Sequence, residues 1–250
     1  MQKRRQKIVE IINREGQISF ARLKNAFADV SEMTLRTDLK ALDEMGAIIR
    51  IHGGARSVDT VTGTEIAFAQ KTSHNIAEKS EIAVKAVKLL KACSSVFIDS
   101  GSTTTAMCRL VPDEVRHIYT SGISCAMELC GLKKPRVHMP GGLVNGSTVS
   151  ITGSKTVLDI RSCHFDICFL GVTSFSPEYG FCCEIQDDAL IKQVAMERSD
   201  RVVVLMDSGK YGMTNTYCFA ETEAVDMVVS DSGLTDEQRN YFERKGIAVL

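Results

Sequence analysis

Two clusters of residues have types and spacing that bear on chemistry. The first is Asp99-Ser100-Gly101-Ser102-Thr103-Thr104-Thr105, which follows the apolar run Val96-Phe97-Ile98. A strand that runs into a glycine-containing, hydroxyl-rich turn and then opens a helix presents backbone N–H groups and the positive end of a helix dipole. Both favour a phosphate. Ser102, Thr103 and Thr104 add hydroxyl donors, and Gly101 lets the backbone approach closely. Asp99 would repel an anion and is expected to bond sugar hydroxyls or the loop's own amides. Lys210, and Lys192 on a helix over 186–198, are the candidate cations. A Ser/Thr cluster after a strand also serves simply as a helix N-cap, and a helix lysine such as Lys192 is often just solvated. The residues leave these readings open.

The second cluster lies near the N-terminus. Ser31 is a good N-cap, and Leu35, Leu39 and Leu42 recur at helical spacing after it. If that stripe faces a core, the opposite face carries Met33, Arg36, Thr37 and Lys40, with Thr34 at the flank. Polar and basic groups on the early turns of such a helix are the groups that enter a DNA major groove in a helix-turn-helix. Arginine can bond guanine bidentately, threonine can meet base or phosphate, and lysine pairs with phosphate. Arg50, His52 and Arg56 flank a Gly53-Gly54 turn that could touch backbone or minor groove beside it. A protein-docking module with a solvated third helix would show the same pattern.

The elements that position these clusters read as follows. Ile8, Ile11 and Ile12 imply a first helix over about 3–14. Ser19 caps a second helix bearing Phe20, Leu23 and Phe27, the third runs to about Gly46, and Ala47–His52 is a short strand. Residues 1–57 therefore form a winged helix-turn-helix, and 58–75, rich in Ser, Thr and Gly, form a linker. Residues 1–56 hold eleven Lys/Arg and seven Asp/Glu, a net +4, against −5 for the remainder. A basic head on an acidic body suits a polyanion partner for the head.

From residue 76 short apolar runs alternate with helical patterns. Strands are expected at 96–98, 117–119, 137–139, 167–170, 202–206, 227–229 and 247–249, and helices at 76–92, 103–110, 122–130, 186–198 and 235–245. That is an α/β domain over 76–250 with a mainly parallel sheet covered on both faces. Small, hydroxylic or glycine-rich residues follow several strands: Thr120-Ser121-Gly122, Pro140-Gly141-Gly142, Gly171-Val172-Thr173-Ser174 and Asp207-Ser208-Gly209-Lys210. Carboxyl ends of strands line the ligand crevice of an open α/β sheet. The candidate effector residues are therefore Asp99, Ser100, Gly101, Ser102, Thr103, Thr104, Thr120, Ser121, Gly141, Gly142, Thr173, Lys192 and Lys210.

Val30-Ser31-Glu32-Met33-Thr34-Leu35-Arg36-Thr37-Asp38-Leu39, followed by Arg50-Ile51-His52-Gly53-Gly54-Ala55, closely resembles the DNA-binding end of the DeoR family of transcription regulators. The series Asp99–Thr103, Pro140–Gly142, Gly153, Phe165–Gly171, Gly180 and Asp207–Lys210 is similar to that family's effector domain. The family usually has a second basic residue where this chain has Thr37, Asp-Ser-Ser-Lys where it has Gly209, and Asn where it has Ser121. The resemblance implies a sensor domain similar to sugar-phosphate isomerases. It further implies a regulator, in most relatives a repressor, that binds double-stranded operator DNA as a homo-oligomer and responds to a phosphorylated sugar.

The remaining composition limits the alternatives. Nine cysteines without a C-x-x-C, several inside apolar runs, read as reduced buried thiols and not as a zinc or redox centre. No metal or cofactor is expected; His52 and His138 have no partner pattern for either. No apolar run spans a bilayer and no secretory core follows the basic start, so the cytoplasm is the expected location. The competing function is a sugar-phosphate isomerase with an appended DNA module, using Asp99, Glu184, Asp187 or Asp188 as base.

Overall fold

A computed structural model describes residues 2–15, 17–51, 53–57, 68–90 and 95–250. The chain divides into two compact units, Met1–His74 and Asn75–Leu250.

The first unit contains α1 (Gln2–Glu15), β1 (Gln17–Ser19), α2 (Phe20–Ala26), α3 (Glu32–Glu44), β2 (Ile49–Ile51), β3 (Gly54–Arg56) and α4 (Phe68–Ser73). The Ser19 hydroxyl accepts the Arg22 amide and the Ser31 hydroxyl accepts the Thr34 amide, so both serines cap their helices as the sequence suggests. Ile8, Ile12, Leu23, Leu35, Leu39, Leu42 and Ile48 form the core. β3 pairs antiparallel with both β1 and β2, making a three-stranded wing. The close β1–β3 approach explains Gly54: a Cβ there would collide with the Ile18 carbonyl. Gly53, at φ +79°, turns the hairpin in the left-handed region. α4 lies inside the stretch expected as a linker. The Ser/Thr/Gly-rich part stops at Thr64, and Ala69, Gln70 and Lys71 are adequate helix formers. Residues 58–67 lie outside the described residues, as does His52.

The second unit runs α5 (Ile76–Ala86), β4 (Ser95–Ile98), α6 (Ser102–Cys108), β5 (His117–Thr120), α7 (Ile123–Leu129), β6 (Arg136–His138), β7 (Leu143–Asn145), β8 (Ser150–Thr152) and α8 (Ser154–Arg161). It continues with β9 (Ile167–Gly171), β10 (Ser174–Ser176), β11 (Gly180–Cys183), α9 (Gln186–Glu197), β12 (Val202–Leu205), β13 (Tyr217–Ala220), β14 (Met227–Val229), α10 (Asp236–Arg244) and β15 (Ala248–Val249). Seven strands form one sheet in the order β15-β14-β12-β9-β4-β5-β6, with every pairing parallel. These are the seven apolar runs read from sequence. Alternation splits them between two cores: Phe97, Leu170 and Val204 pack with α8, α9 and α10, while Val96, Ile98, Phe169 and Val203 pack with α5, α6 and α7.

From β4 the chain steps outward to β5 and β6. It then returns to the other side of β4 and continues through β9, β12, β14 and β15. The order therefore reverses between β4 and β9, where an open parallel sheet forms its ligand crevice. The sequence reading missed α8, the β7–β8 hairpin and a small antiparallel sheet, β10-β11-β13. That small sheet corrects one expectation: Cys182 and Cys218, opposed across β11 and β13, are joined as a disulfide and are not thiols. Spacing along the chain cannot reveal a pair 36 residues apart that strand register brings together.

Candidate functional site

In the first unit, α3 separates its faces cleanly. Leu35, Leu39 and Leu42 are buried, while Met33, Arg36, Thr37 and Lys40 are exposed. The Arg36 guanidinium lies 4.2 Å from the centroid of the Phe20 ring, at the start of α2. Stacking of this kind restricts the long side chain without consuming its donors. Thr37 donates its hydroxyl to the Met33 carbonyl at 2.9 Å, and the Ser31 and Thr34 hydroxyls are 2.8 Å apart at the helix start. Ser31 and Thr34 thus shape the N-terminus of α3, whereas Arg36 and Lys40 project from it. Arg50 is exposed on β2 and Arg56 is half-buried on β3.

Sequence reasoning missed what fixes α3 in place. Asp38 is buried and accepts hydrogen bonds from Arg4 at 2.6 Å and Arg5 at 2.8 Å, both on α1. Burial alone would push its carboxyl up, but the two guanidinium hydrogen bonds together hold it below the ordinary carboxylate value. Two arginines of the basic start therefore work inside the unit. The only hint in the sequence was an acidic residue beside Leu39 on the core side of the helix.

In the second unit, the sequence-chosen residues after β4 and β5 come together at the reversal point with the Gly171 amide that ends β9, whereas Thr173 is not brought to them. The Asp99 carboxylate is buried; its Oδ2 accepts the Gly171 amide at 3.1 Å and pairs with the Lys192 ammonium from α9. Lys192 is 4% exposed, so the solvated-lysine reading does not hold. Burial works against its charge, but Asp99 foremost, then Cys183 and Asp188, holds the ammonium above the ordinary lysine value. The ammonium also lies 5.5 Å from the Phe219 ring centroid. Asp99 Oδ1 and Ser121 Oγ are buried without a hydrogen-bond partner. The β4–β5 register pairs Ile98 with Thr120, so Asp99 and Ser121 are the next step beyond it. An unsatisfied buried polar atom costs roughly 1–3 kcal/mol, and sites of this kind call for an explanation.

The loop after Asp99 is built from its own backbone. Gly101 adopts φ +138°, and its carbonyl accepts the Thr104 and Thr105 hydroxyls at 2.9 and 2.7 Å. Thr104 is buried and its proton is committed within the loop, whereas Ser102 and Thr103 are half-exposed. Thr120 is likewise turned inward, accepting the Gly122 amide at 3.1 Å. Gly122 is held close: a Cβ there would lie 3.0 Å from the Ser100 Cα.

Gly141 and Gly142 sit against α8 instead. The Gly141 amide donates to Asp159 at 2.8 Å and its carbonyl accepts the Thr156 hydroxyl at 2.9 Å, while a Cβ on Gly142 would collide with Thr156. Their loop leads into the β7–β8 hairpin, which docks beside the β5 end through the Ile151 amide and the Ser121 carbonyl at 2.8 Å. Thr173 is half-buried, its amide bonded to the Cys182 carbonyl at 3.1 Å. Lys210 is half-buried in a single 3-10 turn after β12, the neighbour of β9. His138 stacks with His117 and Tyr119 on the outer strands, a structural place. Among the described residues, no group of three or more His, Cys, Asp or Glu could hold a metal ion.

The chain thus joins a winged helix with exposed Arg36 and Lys40 to a parallel α/β unit whose buried polar groups gather where the sheet order reverses. Residues 4–61 match the DeoR-like helix-turn-helix domain and residues 74–232 match the DeoR C terminal sensor domain. The chain belongs to the DeoR family of DNA-binding transcription regulators, and is not an enzyme. It is 31% identical to the HTH-type transcriptional regulator GlpR of Haloferax volcanii, over 99% of this chain and 96% of that one. Identity is 28% to a putative aga operon transcriptional repressor of Escherichia coli O157:H7 (99% and 92%), and 27% to the lactose phosphotransferase system repressor of Streptococcus mutans (92% of each). Among solved structures, ribose 5-phosphate isomerase A of Methanocaldococcus jannaschii aligns with a TM-score of 0.39 and 18% identity over 53% of each chain. The eIF2B beta subunit of Chaetomium thermophilum aligns with a TM-score of 0.46 and 11% identity, over 71% of this chain and 54% of that one. In both solved proteins the match spans about half of their length. Among the described residues no helix is long and apolar enough to cross a membrane.

Proposed function

We propose that this chain is a repressor of a carbohydrate-utilisation operon, that it binds double-stranded operator DNA as a homo-oligomer, and that a phosphorylated sugar in the β4–β9 crevice controls its DNA affinity. The observation that carries the sensing half is the crevice floor. Asp99, paired with Lys192 through Oδ2, keeps a buried Oδ1 without a partner, and so does Ser121 Oγ at the corresponding step beyond the neighbouring strand β5. A carboxylate oxygen accepts from ligand hydroxyls and a serine hydroxyl can donate or accept, so together they suit a polyol. Gly101, Ser102 and Thr103 supply the anion-facing side at the start of α6, and Lys210 adds positive charge from the β12 end. Relatives named for the aga operon and the lactose phosphotransferase system support a carbohydrate effector.

The reading half rests on Arg36 and Lys40 projecting from α3, with Arg50 and Arg56 on the wing strands. Control requires that the effector bind two states of the protein with different affinity; a coupling of ~1–3 kcal/mol changes DNA affinity roughly 5–150-fold. A thermal-shift screen with phosphorylated sugars tests the sensing half. A ligand at 100 times its dissociation constant stabilises by ~2.7 kcal/mol, and a flat response across aldose and ketose phosphates would overturn the reading.

A further inference from the structure

The Cys182 and Cys218 side chains are joined to each other and belong to neither of the proposed DNA and effector contact sets. β11 is the central strand and β13 an edge of the small sheet, and the two cysteines stand directly opposite each other, next to a bulge at Phe181/Cys182. Cys182 is fully buried, whereas Cys218 is exposed and lines a groove of about 510 Å³ with Tyr179, Gly180 and Phe219. A small reagent can therefore reach one sulfur while the other waits behind it. The adjacent Cys183 does not compete. It faces the other way along the strand, and burial pushes its thiol up to about 11. A DNA-binding regulator works where small thiols keep most cysteines reduced, and a disulfide formed there is usually transient or sensory, not structural.

We propose that Cys182 and Cys218 are a reversible oxidation site whose oxidant is a small-molecule disulfide and whose reductant is the corresponding thiol. The Cys218 thiolate attacks one sulfur of RSSR; the S–S bond breaks and the first RS⁻ leaves, taking up the cysteine proton as RSH. The Cys182 thiolate then attacks Cys218 Sγ in the mixed disulfide, forming the protein S–S bond and expelling the second RSH. Two protein thiols are oxidised and one RSSR is reduced to two RSH; two RSH reverse the sequence.

The consequence follows from strand alternation. Phe219, next to Cys218, and Cys183, next to Cys182, both face Lys192. The cross-link pins the edge strand β13 to β11 beneath α9 and so fixes the seat of the Lys192 ammonium. In the dithiol form, strand pairing and the packing of Phe219 and Ala220 hold β13 without the covalent tie. This inference does not depend on the identity of the effector.

The test uses the full chain equilibrated in reduced or oxidised glutathione, with differential alkylation read by peptide mass spectrometry and hydrogen exchange read in parallel. The expected result is complete interconversion of the Cys182–Cys218 linkage without denaturant, with β13 amides exchanging roughly tenfold faster in the dithiol form. Cys218→Ser should exchange like the dithiol form in both buffers. Three results overturn the proposal: both cysteines alkylated in either buffer, a linkage that yields only after unfolding, or interconversion with unchanged exchange.

Discussion

Lys192 reaches across from α9 to pair with Asp99 at the end of β4, at the point where the sheet reverses its order. Both partners are nearly inaccessible, and Asp99 foremost holds the Lys192 ammonium above the ordinary lysine value against its burial. Lys192→Met should therefore destabilise the sensor unit by ~3–5 kcal/mol, because it leaves an uncompensated buried carboxylate. Adding Asp99→Leu to that variant should recover much of the loss. Urea denaturation of the wild type and both variants measures this, and a single variant as stable as wild type would contradict the pairing.

Asp38 gives the DNA-binding unit a pH dependence of definite sign. Its folded carboxyl is held below the unfolded value of ~3.9. The contribution is fully present above that value and is lost as pH falls through the lower, folded one. Hydrogen exchange at α1 and α3 amides should accelerate on acidification below about pH 4. Asp38→Asn should weaken protection at neutral pH, by about 2 kcal/mol, and flatten the acid dependence. Equal acid sensitivity in both proteins would sink this assignment.

Arg36→Ala should remove sequence discrimination, costing ~1–3 kcal/mol at the operator and little on random DNA. Fluorescence anisotropy with operator and scrambled duplexes measures the difference. Wild-type affinity for both would show that α3 does not read bases. Lys40→Ala should weaken both duplexes alike and lower the salt slope by about one unit.

In the crevice loop, Ser102→Ala combined with Thr103→Val should abolish stabilisation by a phosphorylated sugar while leaving DNA affinity intact. Thr104 is a poorer probe. Its hydroxyl holds the Gly101 carbonyl, so Thr104→Val should lower the melting temperature whether or not a ligand binds. A retained thermal shift in the Ser102/Thr103 variant would count against the loop.

The large sheet was legible chiefly because its inner strands β9, β12 and β14 are buried on both faces and read as unbroken apolar runs, as in Ile167–Leu170. The helix-turn-helix was legible because Ser19 and Ser31 carry their own capping signal and Leu35, Leu39 and Leu42 keep one period. The β7–β8 hairpin was not, since Leu143 and Val144 are both exposed there and no alternation marks it. Pairings across the chain were equally hidden: Arg4 and Arg5 with Asp38, Asp99 with Lys192, and Cys182 with Cys218 depend on register and packing. Residue type alone marked Asp99 and Lys192 as candidates, but only coordinates put them in one site.

One titration tests the central claim most directly: operator-duplex affinity of the full chain, with and without each member of a panel of phosphorylated sugars at fixed salt. The account predicts that one sugar phosphate weakens binding roughly 5–150-fold, and that the Ser102/Thr103 variant binds DNA normally without responding. DNA affinity indifferent to every sugar phosphate, or no salt-dependent DNA binding at all, would contradict it.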